Sequence, residues 1–267
     1  MSISRIVTFT TDFGLTEHYV GAMKGVIYTI NPAVTTVDIT NSVQSYDLLD
    51  GAIAISQAYN YFPKDTIHMV IVDPGVGGPR RPIVATAGQH IFLAPDNGVL
   101  SLVYEREERV SVRHITASHY FLQPVSATFH GRDIFAVIAA YLSKGIEVDK
   151  FGEEITDYVR FAAPKPKTTG PNAWKGIVLK VDKFGNLITN FTARDTPELF
   201  QPTAPAFKIN VGKAEVTRMG SSYVEGAQAE VFAIAGSSGF LEISVNRGSA
   251  AQVAAAQKGS EVLLVMA

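Results

Sequence analysis

Asp73 and Arg80 share the segment VDPGVGGPRRP (72–82), in which a carboxylate and a guanidinium are close enough along the chain to form a forked, charge-assisted pair. Gly75, Gly77 and Gly78 permit positive φ, while Pro74, Pro79 and Pro82 fix φ and remove donors. The bland reading is a tight connection. The sharper one is a ligand site held on a stiff loop, because the apolar run 67–72 just before it predicts a buried strand, and sites in layered α/β proteins lie at strand ends. Three further polar clusters fall at predicted strand ends or helix starts: TTDFG (10–14), PDNG (95–98) and FHGRD (129–133). Asp12 is either a cap or turn residue, or an acceptor for the two hydroxyls of a vicinal diol. Asp96 and Asn97, between Pro95 and Gly98, read as a structural turn. His130 is either a structural hydrogen-bonding residue or a partner of Asp73 and Arg80 at a shared edge. Arg132 and Asp133 read as a first-turn pair, with the acid at the positive end of the helix dipole.

Other chemistries fit less well. DFG at 12–14 and HGRD at 130–133 look like protein-kinase signatures, but they stand in reversed order and no lysine strand accompanies them. Asp12, Asp73, Asp96, Asn97 and His130 could instead ligate a metal in a phosphoesterase or nucleotidase. An arginine among them opposes a dication, and no HExxH pair occurs. Nearer the C-terminus, KVDKFGNLITN (180–190) is a strand broken by a turn. Asp182, Phe184 and Asn186 serve that turn alone, or offer an acceptor, an aromatic face and an amide to a zwitterionic ligand. Tyr223 and SSGFLEISVNRGSA (237–250), with Asn246, are either plain loops or a wall for a flat base.

The elements that must position these groups follow from periodicity. Strands at 6–11, 34–39 and 67–72 alternate with helices at 17–30, capped by Thr16, and 47–61, so the start reads β-α-β-α-β with parallel strands. Strands at 83–86 and 90–93, a short helix at 99–104 and a helix at 132–142 follow; the last turns Phe135, Ile138, Ala139 and Leu142 to one face. APKPKTTGPN (163–172) reads as a linker. Beyond it, short β-like segments at 176–181, 207–211, 230–234, 240–244 and 262–265 predict a small sandwich or barrel. The expected organisation is an α/β N-terminal domain at 1–162 with a central, largely parallel sheet, a linker at 163–173, and a smaller all-β, barrel-like C-terminal domain at 174–267.

Composition narrows the partner. The chain has 267 residues, 46% hydrophobic and 18% charged, with a formal charge of -2. No Lys/Arg block marks it for nucleic acid or an anionic membrane, so the expected partner is a small molecule. No run reaches the length of a membrane span and the N-terminus lacks a signal-peptide core, which makes the cytoplasm the expected compartment. With Cys 0, thiol nucleophiles, disulfides and Cys-ligated metals are excluded.

In this order and over nearly the whole chain, TTDFG, VDPGVGGPRR, APDNG, FHGRDIFA and DKFGNLITN resemble the S-adenosylmethionine (SAM) hydroxide adenosyltransferases, relatives of the SAM-dependent fluorinase and chlorinase. The resemblance implies hydrolysis of SAM to adenosine and L-methionine with no cofactor, SAM being the substrate. It also implies a homotrimer whose sites lie between the N-domain of one subunit and the C-domain of the next. Residue by residue, Asp73, Arg80 and His130 match the family's water-activating triad, with Arg81 as the alternative arginine and the proton acceptor left open between Asp73 and His130. Asp12 matches the ribose-binding carboxylate, and Tyr46 stands where the halogenases place a tryptophan. Phe184, Asn186 and Asp182 match the residues holding the methionine part, Tyr223 and Asn246 the adenine wall. Asp73 where the fluorinase has a tyrosine, Gly131 in place of its halide-contacting serine, and the missing loop insertion after Arg81 imply water as the nucleophile. A SAM or adenosine sensor without turnover remains as a third reading beside the metal hydrolase.

Overall fold

In the computed structural model, which describes residues 5–201, 203–227 and 229–267, the chain begins with the predicted strand and helix alternation. β1 (Ile6–Thr11), α1 (Tyr19–Ile30), β2 (Thr35–Thr40), α2 (Leu48–Ala58) and β3 (Ile67–Ile71) follow in turn. β1 lies between β2 and β3 and is parallel to both. Thr16 does not cap α1: the helix starts at Tyr19, after His18, whose side chain makes no capping bond. Met23 and Ile27, one helical turn apart, are its buried anchors. α2 is capped as its sequence suggests, with the Asp47 carboxylate accepting the Asp50 N–H at 3.0 Å.

β4 (Pro82–Ala87) and β5 (His90–Pro95) form a hairpin, α3 (Ser101–Arg106) follows, and β6 (Val110–His114) and β7 (Glu154–Ile155) complete the sheet. The strand order is β2-β1-β3-β5-β4-β6-β7. β2, β1, β3, β5 and β6 run one way and β4 and β7 the other. Before β7, a π-helical turn (Gly131–Ala136) runs straight into α4 (Val137–Ser143), and both pack on α1. Two cores flank the sheet. Met69 and Ile71 of β3 face the α1 and α4 side, Val70 and Val72 the opposite side with Ile55 and Phe92. A parallel strand covered on both faces is apolar at nearly every position, which accounts for the run at 67–72, broken only by the buried His68.

The first compact unit ends at Ala163 and the second begins at Pro164. The second consists of β8 (Lys167–Gly170), β9 (Ala173–Val181), β10 (Leu187–Thr192), β11 (Phe207–Val211), β12 (Ala214–Val216), β13 (Met219–Gly220), β14 (Val231–Ala235), β15 (Phe240–Val245), α5 (Ala250–Ala254) and β16 (Glu261–Met266). The sheet order is β12-β11-β16-β9-β10-β15-β14-β13, with β8 also paired to β9. β12 also approaches β14, so the sheet curls back on itself into a barrel-like shape. Its core is built by alternation: β11 buries Phe207, Ile209 and Val211, and β16 buries Val262, Leu264 and Met266. Among the described residues, no helix is long and apolar enough to cross a membrane.

Among the polar groups buried in the first unit, one histidine lies in the central strand. His68 of β3 is fully buried, stacks on Phe92 with ring centroids 5.0 Å apart, and holds Thr8 Oγ1 at 2.7 Å through Nδ1. Burial, reinforced by His90, pushes its pKa from 6.5 down to about 3. The unfolded chain therefore takes up this proton first as pH falls. The stability contributed by neutral His68 is complete above 6.5 and is lost progressively towards about 3. We expect this residue to contribute up to about 1.4 kcal/mol per pH unit to the acid decline in unfolding free energy. His68→Gln, which keeps a partner for Thr8 but cannot titrate, should show a shallower decline in urea unfolding between pH 7 and pH 4.5. An unchanged slope would remove His68 from the acid response.

Candidate active site

The parallel arrangement of β1, β2 and β3 brings three loops to one edge. Asp12 follows β1, Tyr46 lies in the loop after β2, and Asp73 lies just beyond β3. These strands are neighbours running in one direction, so their carboxyl ends share that edge. The loops are knitted together there. Gly14 N–H donates to the Asn41 carbonyl at 2.7 Å, Thr11 Oγ1 donates to Asn41 Oδ1 at 2.9 Å, and Asp12 Oδ2 accepts the Tyr46 N–H at 2.9 Å. Tyr46 has φ 67, a left-handed conformation strained for a residue with a Cβ, and its side chain is 73% exposed. Backbone strain thus serves to aim one N–H at Asp12 and one aromatic ring outward.

Asp73, Arg80 and His130 are brought into direct contact. Arg80 Nε donates to Asp73 Oδ1 at 2.9 Å, and Arg80 Nη2 donates to Asp73 Oδ2 and, at 2.8 Å, to His130 Nδ1. The Arg80 and Asp73 side chains are 9% and 5% exposed. The guanidinium also lies over the Phe135 ring, 5.8 Å from its centroid. His130 immediately precedes the π-helical turn and Phe135 lies within it, so one widened turn supplies both contacts. Gly77 lets the loop close: it has φ +76, and a Cβ there would strike the Ala127 carbonyl oxygen. Arg81 turns elsewhere. It donates to Asp96 Oδ2 through Nε at 2.9 Å and to Asp157 Oδ1 through Nη1 at 2.8 Å.

The other polar residues of this unit are occupied by structure. Asp96 also accepts the Val159 N–H at 2.8 Å, and Asn97 Nδ2 donates to the Val72 carbonyl at 2.9 Å, bracing the residue before Asp73. Asp133 is fully buried and accepts from Arg132 Nε at 2.6 Å and from the Ser126 N–H at 2.8 Å, which ties the loop before His130 to the turn after it. Gly131 backs onto Met23, whose sulfur would lie 2.9 Å from a Cβ, so a serine here would require Met23 to move. Among the described residues, no group of three or more His, Cys, Asp or Glu is arranged to hold a metal ion.

The second unit carries a separate cleft of about 500 Å³, lined by Asp182, Phe184, Asn186, Tyr223, Val245, Arg247 and Gly248. Asp182 follows β9 and organises the turn. Its Oδ1 accepts the N–H groups of Phe184 and Asn186 at 2.9 and 2.8 Å, and its Oδ2 accepts Asn186 Nδ2 at 2.8 Å. Gly185, φ +86, lies so close to Ser249 that a Cβ would collide with it, and its carbonyl accepts the Ala251 N–H at 2.9 Å. The turn is thereby docked on the start of α5, with Phe184 pushed outward at 76% exposure. Asn246 does not line the cleft. Its Nδ2 donates to the Gly226 carbonyl at 2.9 Å and to that of Val224 at 3.3 Å, supporting the segment that bears Tyr223. Sequence reasoning missed Arg247, the one cation of the lining, whose signal was a basic residue before Gly248; its φ of 54 places it at a sharp turn.

Electrostatics assign a protonation state to the triad-like cluster. Arginine only donates, so its bond to His130 Nδ1 makes that nitrogen an acceptor, and neutral His130 carries its proton on Nε2. Burial and then the Arg80 charge hold the His130 pKa below 6.5, against smaller opposing effects of Asp73 and Asp133. Arg80 Nη1 is buried and has no hydrogen-bond partner among the described residues.

Family models of the N- and C-terminal domains of SAM hydroxide adenosyltransferase match residues 7–152 and 176–263. An (R)-S-adenosyl-L-methionine hydrolase of Thermus thermophilus is 34% identical over 269 residues, covering 98% of this chain and 100% of its own. A fluorinase of an Actinoplanes species is 28% identical over 216 residues, 71% of this chain and 72% of its own. A solved structure of an uncharacterized conserved protein from Thermotoga maritima superposes with a TM-score of 0.89 at 35% identity, covering 97% of this chain and 99% of that one.

The charge arrangement is open to direct test. Nitrogen-15 NMR should show His130 as the Nε2–H tautomer with a titration midpoint below 6.5, and Arg80→Ala should raise that midpoint by removing the neighbouring cation. A wild-type midpoint above 6.5 would contradict the bond from Arg80 to Nδ1.

Proposed function

The chain belongs to the SAM hydroxide adenosyltransferase family, and we propose that its Asp73, Arg80 and His130 deliver water to the ribose C5′ of SAM. It hydrolyses SAM to adenosine and L-methionine, as the full-length likeness to named SAM hydrolases supports. The observation that carries the mechanism is the buried Arg80, which grips Asp73 with two nitrogens and donates to His130 while its Nη1 keeps an N–H to offer an oxygen ligand.

Water held by Arg80 attacks C5′ in line with the departing sulfur. The new O–C5′ bond forms as the C5′–S bond breaks, and that electron pair neutralises the sulfonium, which leaves as the thioether of methionine. One water proton must be removed. His130 has no free lone pair, because Nδ1 is occupied by Arg80 and Nε2 carries hydrogen, so Asp73 receives the proton and His130 donates through Nε2. Each Asp73 oxygen retains a lone pair beyond its bond to Arg80. General-base help of this kind is worth about 10²- to 10⁴-fold, whereas in-line positioning accounts for up to roughly 7–11 kcal/mol of barrier, so placement of the water dominates. A sulfonium needs no protonation to leave, and we assign the reaction no metal or other cofactor.

We assign the ribose hydroxyls to Asp12, with Tyr46 packing beside them. In the second cleft, Asp182 and Arg247 offer opposite charges to the ammonium and carboxylate of the methionine part, Asn186 and Phe184 flank it, and Tyr223 faces the adenine. Asn246 acts on this wall from behind. Tyr46 and Phe184 are aromatic side chains left largely exposed beside these groups. They support a homotrimer in which the first unit of one subunit meets the second unit of the next.

With SAM in ¹⁸O-water and EDTA present, the label should appear in the 5′-hydroxyl of adenosine, with methionine unlabelled. Binding without turnover would make the protein a sensor, and activity abolished by EDTA and restored by Mn²⁺ would reinstate a metal enzyme. Asp73→Asn should lower kcat by about 10²- to 10⁴-fold with SAM affinity retained. Asp12→Ala should instead weaken SAM binding by about tenfold or more, the worth of a charged hydrogen bond. If each variant keeps wild-type turnover and affinity, these assignments fail. Shared sites have their own signature: co-assembling Asp73→Asn with Tyr223→Ala subunits, assayed at SAM concentrations low enough that the weakened binding of Tyr223→Ala leaves it nearly silent, should restore activity, because some sites then combine two intact halves. No recovery in verified mixed oligomers would place each site within one subunit.

A further inference from the structure

β15 turns Leu241, Ile243 and Val245 into the core of the second unit, so Glu242 between them lies on the opposite face of the strand. A carboxylate on an outward face normally meets water, yet Glu242 is only 5% exposed. Gly236 lies against its Oε1, where a Cβ would collide with it, and further cover comes from the segment from Gly220 to Gly226. This segment lies close against Phe232 of β14, since a Cβ at Gly220 would sit 2.9 Å from that ring and one at Gly226 2.5 Å from it. Asn246 holds the Val224 and Gly226 carbonyls, and Arg218 Nη2 donates to the Glu225 carbonyl at 2.7 Å. Beneath this cover the Tyr223 hydroxyl donates to Glu242 Oε2 at 2.8 Å.

The Tyr223 ring lines the cleft while its hydroxyl is anchored on the buried acid, which does not line it. Burying a carboxylate is unfavourable by several kcal/mol unless hydrogen bonds compensate, so an acid here needs a reason beyond packing. Burial first, and the nearby Asp182 charge, push the Glu242 pKa up, while the bond from Tyr223 pulls the other way. The Tyr223 hydroxyl is itself pushed up to about 12, so it remains a donor at neutral pH.

We propose that Glu242 is a positioning residue for the reaction: through the Tyr223 hydroxyl it fixes the ring against which the flat base of the substrate stacks. The proposal rests on the reading of this cleft as the adenine end of the site. Glu242 touches no substrate atom. Its acceptor oxygen sets the tilt and depth of an aromatic wall that one ring on a short loop cannot set alone, because an untethered tyrosine would rotate about χ1 into the open cleft. The acceptor matters and the charge does not, which separates this role from an electrostatic one.

Steady-state kinetics with SAM test this in the full-length oligomer, with thermal melts as the folding control. Glu242→Ala should raise KM by about 5- to 30-fold, the factor expected for 1–2 kcal/mol of lost hydrogen bonding, with kcat within about twofold. Glu242→Gln retains an acceptor and should restore a near-wild-type KM. Tyr223→Phe should resemble Glu242→Ala, and the double variant Tyr223→Phe/Glu242→Ala should be no worse than either alone. If Glu242→Ala does not fold, Glu242→Gln and Tyr223→Phe still decide, since only the second should raise KM. Equal damage from Gln and Ala, or additive effects in the double variant, would overturn the proposal. Tyr223→Ala separates it from the reading beneath: unchanged KM in that variant would remove the cleft from substrate binding, whereas raised KM with Glu242→Ala unaffected would leave the cleft and remove Glu242.

Discussion

A buried guanidinium governs the first unit's site. Arg80 cannot lose its proton, and an unpaired charge out of water is unfavourable by several kcal/mol, so its surroundings have to supply acceptors. Asp73 takes two of its nitrogens, His130 offers a ring lone pair and Phe135 a π-face. Each supplier is placed by a different device. Asp73 follows a strand buried on both faces, His130 and Phe135 come from one π-helical turn, and the loop carrying Arg80 folds back on glycines where a side chain would collide. Moving Asp73 leaves the charge unpaired, and moving His130 or Phe135 removes a contact that shields it, so the cluster's geometry is set by the requirement to satisfy Arg80.

The second unit meets a similar requirement with less charge. Asp182 places three of its hydrogen bonds within its own turn, which fixes its carboxylate beside Asn186 and leaves Phe184 projecting. Glu242 is the reverse case, an acid whose bond reaches a distant loop and holds it down. Both use a carboxylate to order backbone or an aromatic ring, and both leave the cleft with preformed walls. Preformed walls lessen the ordering that binding would otherwise require.

The first unit was legible where the physics is local. An apolar run of strand length bounded by loops could be read as β3, and glycines with prolines could be read as a stiff connection. From the residues alone, His130 as a partner of Asp73 and Arg80 was one of two readings, and the resemblance chose between them, because no periodicity links residue 80 to residue 130. β6 was missed: its alternating, half-exposed VSVRH becomes a strand through register with β4, a tertiary effect. The π-helical turn was read as ordinary helix, since the apolar spacing of Phe135, Ile138, Ala139 and Leu142 carries no mark of a widened turn. Glu242 was invisible for the opposite reason: alternation assigns it to solvent, and only the fold shows the loop that covers it.

The charge balance of the first cluster bears on why water is the nucleophile in a chain that is also similar to a fluorinase. Arg80 and Asp73 cancel, and His130, held neutral by burial and by Arg80, adds no charge. A halide entering such a site would have to shed its hydration with no net positive charge from these three residues, leaving the substrate's sulfonium to supply it, and the Asp73 carboxylate would oppose the halide. Water enters uncharged. In the proposed mechanism it meets a donor at Arg80 Nη1 and an acceptor at Asp73, and it becomes anionic only as its proton moves and the sulfonium charge disappears. A neutral cluster with one donor to spare therefore suits a nucleophile that is made in place, and it disfavours one that must arrive already charged.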